Sequence, residues 1–294
     1  SPHQALYRVD QAISQKRLTT VLDIDLKSYF DQIRHHILLG QIAKRVSDPK
    51  VLHLAKLILK ANGKRGVPQG SVVGPLFANL YLNGVDQMLE GAKAKARQEG
   101  WEHLPYVRFA DDIVVLIHGH PANLWLIPAT QNQLKEEFSK LEVEINTGKT
   151  KVVHLLKGES FHYLGFDIKL VQSKRTGKPL ALMTPRIRKR KELTQAIKES
   201  LRRIRRLGMP VLISRLNPIL AGWVNYFRVG NSNESFAWVR RWVEKKVRRI
   251  AGKNRQRKGF GWKRWSSEEI YRRWGFFDNY RLSYLRFQVK AALV

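Results

Sequence analysis

Apolar and polar positions alternate along residues 18–26 (Leu-Thr-Thr-Val-Leu-Asp-Ile-Asp-Leu). Leu22, Ile24 and Leu26 share one side, and Val21, Asp23 and Asp25 the other. That period of two predicts a β-strand. Further strands are predicted at 106–110 and 113–116, joined at an Asp-Asp tip, and near 151–156 and 161–170. Between them the apolar spacing lengthens toward a helical turn, so helices are expected over 3–14, 32–46, 49–61 and 121–141. Another runs from Pro75 to about residue 89, because proline suits the first helical position. The run Gly66-Val67-Pro68-Gln69-Gly70 reads as a loop.

The pattern changes near residue 170. Residues 169–185 read as a boundary, with Gln172-Ser173-Lys174-Arg175-Thr176-Gly177-Lys178-Pro179 a loop and Thr184-Pro185 a helix start. Ile187, Leu193, Ile197, Leu201 and Ile204 then form one apolar stripe, and helices follow at 210–228 and 234–251. The chain is therefore expected to be α+β: a mixed domain over 1–170 and a mostly helical one over 171–294.

Composition adds a partner class. The 294 residues include 43% hydrophobic positions with 8 Trp, 12 Phe and 9 Tyr, enough for two cores. Against 24 Asp+Glu stand 54 Lys+Arg, a formal charge of +30. Such repulsion opposes compaction, and a polyphosphate partner neutralises it with counterion release. Anionic lipid is the rival, but no run approaches the ~20 apolar residues of a membrane span. The absence of cysteine removes disulfides, Cys-ligated zinc and thiol nucleophiles, and fits an intracellular protein. Residues 186–264 hold 24 Lys+Arg against 4 Asp+Glu, a net +20. Candidate phosphate contacts there are Arg186, Arg188, Lys189, Arg202, Arg203, Arg205, Arg206, Lys245, Lys246, Arg248 and Arg249, with a further basic run at 253–258. Trp262 and Trp265 could stack on bases or on the protein body.

Asp25, at the end of a strand, and Asp111-Asp112, at a hairpin tip, carry the candidate chemistry. Adjacent carboxylates inside Phe109-Ala110-Asp111-Asp112-Ile113-Val114-Val115-Leu116 are costly to ionise without a cation. Magnesium suits them, since it takes a few carboxylates plus phosphate oxygens, and two such ions clamp a phosphoryl displacement. Taken alone, an Asp-Asp pair between apolar runs is an ordinary polar turn.

The order of the other motifs overturns that bland reading. Asp25-Leu26-Lys27-Ser28-Tyr29-Phe30-Asp31 resembles motif A of group II intron reverse transcriptases. The stretch from Gly66 to Leu82 resembles motif B, and Tyr106-Val107-Arg108-Phe109-Ala110-Asp111-Asp112 resembles motif C. Gly148-Lys149-Thr150-Lys151 and Phe161-His162-Tyr163-Leu164-Gly165-Phe166 resemble motifs D and E. Leu216-Asn217-Pro218-Ile219-Leu220-Ala221-Gly222-Trp223-Val224-Asn225-Tyr226-Phe227 resembles the signature of the maturase region, domain X.

The resemblance implies a right-hand polymerase palm, an antiparallel sheet with packed helices, followed by a helical thumb. It implies two Mg²⁺ ions held by Asp25, Asp111 and the Leu26 carbonyl, with Asp112 assisting. They would activate a primer 3′-hydroxyl and stabilise the pentavalent phosphorus and the pyrophosphate leaving group. Phe30 stands where the family places its ribose gate, Gln69 and Gly70 line the nucleotide pocket, and Lys149 assists pyrophosphate protonation. Asp23 shares a strand face with Asp25, but the motif register favours Asp25; Asp31 caps or braces the next helix. Implied partners are RNA template, intron RNA, a DNA primer or target and dNTPs, in the bacterial cytoplasm or nucleoid, with an organelle the alternative.

Three departures qualify the likeness. Fingers motifs that precede the palm in relatives would lie ahead of Ser1, so a missing segment or a partner chain is implied. Phe109 replaces a usual tyrosine, and Ser71 and Gly74 stand where glycine and serine are usual. The cysteines of an appended HNH endonuclease are absent. Two alternatives remain: a non-catalytic maturase that stabilises intron RNA, and a reverse transcriptase of this lineage recruited to defence, as with a CRISPR system.

Overall fold

A computed structural model describes residues 1–61, 63–68, 70–98, 105–174, 176–204, 208–253 and 265–283. The chain divides into two compact units, 1–164 with 169–181, and 165–168 with 182 onward.

The first unit is built on an antiparallel sheet. Its strands are β1 (Thr20–Ile24), β2 (Tyr106–Phe109), β3 (Asp112–Ile117) and β4 (Lys151–His154), in the order β2-β3-β1-β4. β1 pairs Asp23 with Val114 and Ile24 with Ile113, and on its other edge Asp23 with Lys151. On one face Leu22, Ile24, Ile113, Val115 and Ile117 join a core with helices α2 (Tyr29–Gln32), α3 (His35–Ala43), α4 (Pro49–Lys60), α5 (Gly74–Tyr81), α6 (Asn83–Gln98) and α7 (Leu126–Lys140). Helix α1 (Pro2–Ser14), whose Ser1 and Gln4 close a capping box, lies against β2 and β3. Val21, Val114 and Leu116 are buried as well. Burial on both faces explains why 113–117 reads as an unbroken apolar run.

Several predicted elements are cut shorter. The helix expected at 32–46 is the one-turn α2 followed by α3, with Ile33 at an extended ψ of 120° between them. The helix expected from Pro75 breaks at Leu82 (ψ 5°), just before Asn83-Gly84, into α5 and α6. The one expected at 121–141 is a 3₁₀ turn, Pro121–Asn123, and then α7. The strand expected at 161–170 is two, β5 (Ser160–Tyr163) and β6 (Phe166–Gln172), separated by a turn with both Leu164 and Gly165 at positive φ.

In the boundary stretch 169–185 the loop expected at 172–179 is the turn of a hairpin, and the strand after it is unexpected. β6 turns at 173–178, with Ser173 N donating to Lys178 O (2.9 Å), into β7 (Pro179–Pro185). The second sheet has the order β5-β6-β7. Prolines at both ends of β7 suit an edge strand and mask its alternation, in which Ala181, Met183 and Pro185 are buried. Thr184-Pro185 thus ends a strand, and the helix begins two residues later.

In the second unit α8 (Ile187–Ile204), α9 (Met209–Phe227) and α10 (Asn233–Lys253) pack around Leu193, Ile197, Leu201, Leu216, Leu220, Val239, Val243 and Val247. Trp265 is buried in this core, so the sequence alternative of base stacking does not apply to it. Trp223 packs against Phe227 and Phe236, and Tyr226 stacks on Phe166, which makes the aromatic triplet of α9 structural. Among the described residues no helix is long and apolar enough to cross a membrane.

Candidate active site

Asp25 follows β1 by one residue, and a turn from the far edge of the sheet pins it there. Asn146 N donates to Asp25 O (2.8 Å), and Asp25 N donates to Thr150 Oγ1 (3.2 Å). Lys149 and Thr150 both donate their backbone N–H to Asn146 O, closing the turn. The result is that Lys149 Nζ stands 3.4 Å from Asp25 Oδ2. That oxygen is buried and makes no hydrogen bond. Leu26, buried, forms an isolated bridge with Ile145, which fixes the chain just beyond the strand.

The hairpin tip lies one residue earlier than expected. Phe109 pairs with Asp112, so the two-residue turn is Ala110-Asp111 and Asp112 already belongs to β3. Ala110 takes a left-handed φ of 56°, a strained choice for a residue with a Cβ. Arg108 holds this turn from behind. Its guanidinium donates to Ala110 O (2.9 Å) and Asn79 Oδ1 (3.0 Å), and grips Asp86 with Nε (2.8 Å) and Nη2. Arg108 is a positioning residue that sequence reasoning missed: its partners lie in α5 and α6, and only an arginine inside an apolar strand signalled it.

The three carboxyls feel one another. Burial raises Asp111, its own backbone amide partly offsets the rise, and Asp25 adds to it. Asp112 is pushed up to about 6 by its packed surroundings, then by Asp111 and Asp25. The Asp112 side chain is itself exposed to solvent at the start of β3, so a counter-ion can reach it. Among the described residues no group of three or more His, Cys, Asp or Glu is drawn together closely enough to hold a metal ion. A few carboxylates with a non-hydrogen-bonded oxygen instead fit a hard cation that fills its shell with water and phosphate oxygens. Asp23 sits mid-strand between Val114 and Lys151, and Asp31 lies in the single turn of α2.

Phe30 is half-buried, edge-on to Tyr29 with ring centroids 5.4 Å apart. The motif B loop runs beside it: Val67 N donates to Phe30 O (3.0 Å) and Gly66 N to Ile33 O (2.8 Å). Gly70 has φ 84°, which requires glycine there. Gln69 lies outside the described residues. The Ser71 and Gly74 departures are coupled. Gly74 N donates to Ser71 Oγ (2.9 Å), and a Cβ on Gly74 would lie 2.9 Å from that oxygen and 3.1 Å from Pro68 O.

The basic candidates separate by burial. Arg188, Arg202, Lys245 and Arg249 are exposed, while Arg186, Lys189 and Lys246 are half-buried. Arg188 and Lys189 both pair with Glu192 (2.9 and 2.8 Å), and Arg186 faces Asp167 at 3.5 Å. Arg205 and Arg206 lie outside the described residues, as do Trp262 and the run at 254–258; of Arg203 only the backbone is described. Arg248 must be withdrawn as a phosphate contact. Its side chain is 1% exposed, paired with Glu244 (2.9 Å), and donates to Trp265 O (2.9 Å) and Ser267 Oγ (3.2 Å). It staples α10 to the segment that follows.

The family model "Reverse transcriptase (RNA-dependent DNA polymerase)" matches residues 1–168, and "Group II intron, maturase-specific domain" matches 190–269. The chain belongs to the reverse transcriptase family, with the palm of a right-hand polymerase, and within it to the group II intron reverse transcriptase/maturase type. Protein YkfC of Escherichia coli is 29% identical over 200 residues, covering 56% of this chain and 51% of that protein. The group II intron-encoded protein LtrA of Lactococcus lactis is 28% identical over 220 residues, covering 52% and 36%. The chain thus spans about half the length, or less, of these relatives. Among solved structures, telomerase from Candida albicans in complex with a fragment of telomeric RNA aligns with a TM-score of 0.44 and 11% identity, over 92% of this chain and 53% of that one. The family assignment rests on the two family models and not on that likeness.

Proposed function

We propose that this chain carries RNA-directed DNA polymerase activity of group II intron type, adding dNTPs to a primer 3′-hydroxyl on an RNA template. The observation that carries the reading is Asp25, with its buried, non-hydrogen-bonded oxygen, in electrostatic reach of Asp111 and Asp112. Residues 1–170 act as palm, and residues 171–294 as thumb and maturase region.

In the reaction the primer oxygen bonds to the α-phosphorus and the bond to pyrophosphate breaks. Asp25, Asp111 and the Leu26 carbonyl would hold Mg²⁺, with Asp112 beside them. When bound, Mg²⁺ neutralises developing charge and lowers the cost of the primer alkoxide. The chain's own groups do the rest. The Asn146–Thr150 turn fixes Asp25, and Arg108 fixes the hairpin. Lys149, whose ammonium is 3.4 Å from Asp25 Oδ2, would give a proton to departing pyrophosphate. Phe30, whose carbonyl accepts from Val67 of the motif B loop, would exclude a ribose 2′-hydroxyl, and Gly70, with nothing within 4 Å of where a Cβ would stand, would leave room for the nucleotide.

The basic helices would bind intron RNA for splicing and mobility. The match to a maturase-specific domain favours this second role in the same chain. Primer extension on an RNA template with dNTPs and Mg²⁺, comparing the protein with Asp25→Ala, tests the polymerase reading. Product that disappears in the variant supports it. No product from either, with tight and salt-sensitive RNA binding, would leave a splicing cofactor.

A further inference from the structure

Helix α10 carries an exposed tryptophan, Trp238, beside a second one, Trp242, that packs partly against the core. Its inward face is Phe236, Val239, Val243 and Val247, all buried. Trp238 points outward and is 39% exposed. Trp242, one turn on, lies nearly parallel to it, with ring centroids 6.3 Å apart and planes 15° from parallel. Cations bracket the pair: Arg190 Cζ is 5.3 Å from the Trp238 centroid, and Lys246 Nζ is 5.2 Å from that of Trp242. Lys245 and Arg249 extend the positive charge along the exposed side of the same helix.

A scattered surface aromatic needs no explanation, but two parallel indoles between two cations do. The exposed Trp238 offers ring surface to a base that takes the place of Arg190 over it, and the cations offer charge to phosphates, the two elements of sequence-tolerant single-strand binding. A duplex could use only the charge, because its bases are already stacked on each other. We propose that the Arg190–Trp238–Trp242–Lys246 ladder is a stacking platform for unpaired bases of bound RNA. The proposal rests on the RNA-binding reading of the basic helices and assigns it a site and a strand state.

Fluorescence anisotropy with labelled RNA of about 12 nucleotides, within the site sizes of single-strand binders, tests it against a duplex of equal length. Trp238→Ala should weaken single-strand binding about tenfold, with duplex affinity and salt slope unchanged. Trp238→Phe should retain most of the affinity, and unchanged melting temperatures would show that both variants fold. A wild type that binds both RNAs, matched by Trp238→Ala, would sink the platform alone. Equal losses on single strand and duplex would also overturn it. A wild type that binds neither RNA would sink the RNA-binding reading and the platform with it.

Discussion

The acidic strand end and the basic helices use charge in opposite ways. At the strand end three carboxyls are set by particular backbone contacts: Asn146 on Asp25, the β2–β3 register on Asp112, and Arg108 on the turn before them. In the helical unit many cations occupy exposed helix rows, and among the described residues Arg248 stands apart because it is turned inward. Chemistry depends on where a few charges stand, whereas phosphate binding depends on how many stand on one surface. A charge count therefore points to a partner, and only burial tells a binding arginine from a structural one.

The sharpest break of that comparison is Arg248→Leu. It takes one partner from Glu244, which keeps Arg240 and Tyr271, and removes the bonds to Trp265 and Ser267, so a loss of about 2–4 kcal/mol is expected in denaturant unfolding of the helical unit. Arg188→Leu, at an exposed pair, should leave the denaturant midpoint essentially where it is. In the motif B loop, Gly74→Ser should cost about 1–3 kcal/mol by crowding Ser71 and Pro68. Adding Ser71→Gly should recover much of that loss, a coupling that a double-mutant cycle would read.

The smallest effect concerns pH. The Asp112 carboxyl is raised in the folded state, so its contribution to stability is present below its ordinary value and lost as pH rises through about 6. Without divalent cation, melting temperature should fall slightly over that window, and Asp112→Asn should flatten the fall.

Much of the first unit is legible because periodicity reports burial directly. The alternation at 18–26 locates β1 to within two residues at each end, and the apolar run at 113–116 locates β3. Joining Asp25 to Asp111 takes the motif order, since strand pairing across a long separation leaves no local signal. β7 escapes because its prolines imitate loop boundaries. Arg248 escapes for a different reason. It sits beside Val247 and one turn after Glu244, on the core side of α10, and a basic run draws attention to charge before helical phase. The Trp238–Trp242 spacing is open to inspection in the sequence, but its outward orientation is not.

The central claim is that catalysis and RNA binding reside in separate sets of residues. It is tested most directly by measuring primer extension and RNA affinity on the same preparations of wild type and Asp111→Ala. The account predicts that extension disappears in the variant while affinity stays within about twofold, since Asp111 adds no favourable phosphate contact. Unchanged extension in Asp111→Ala would contradict the carboxylate assignment, and a parallel loss of RNA affinity would contradict the separation.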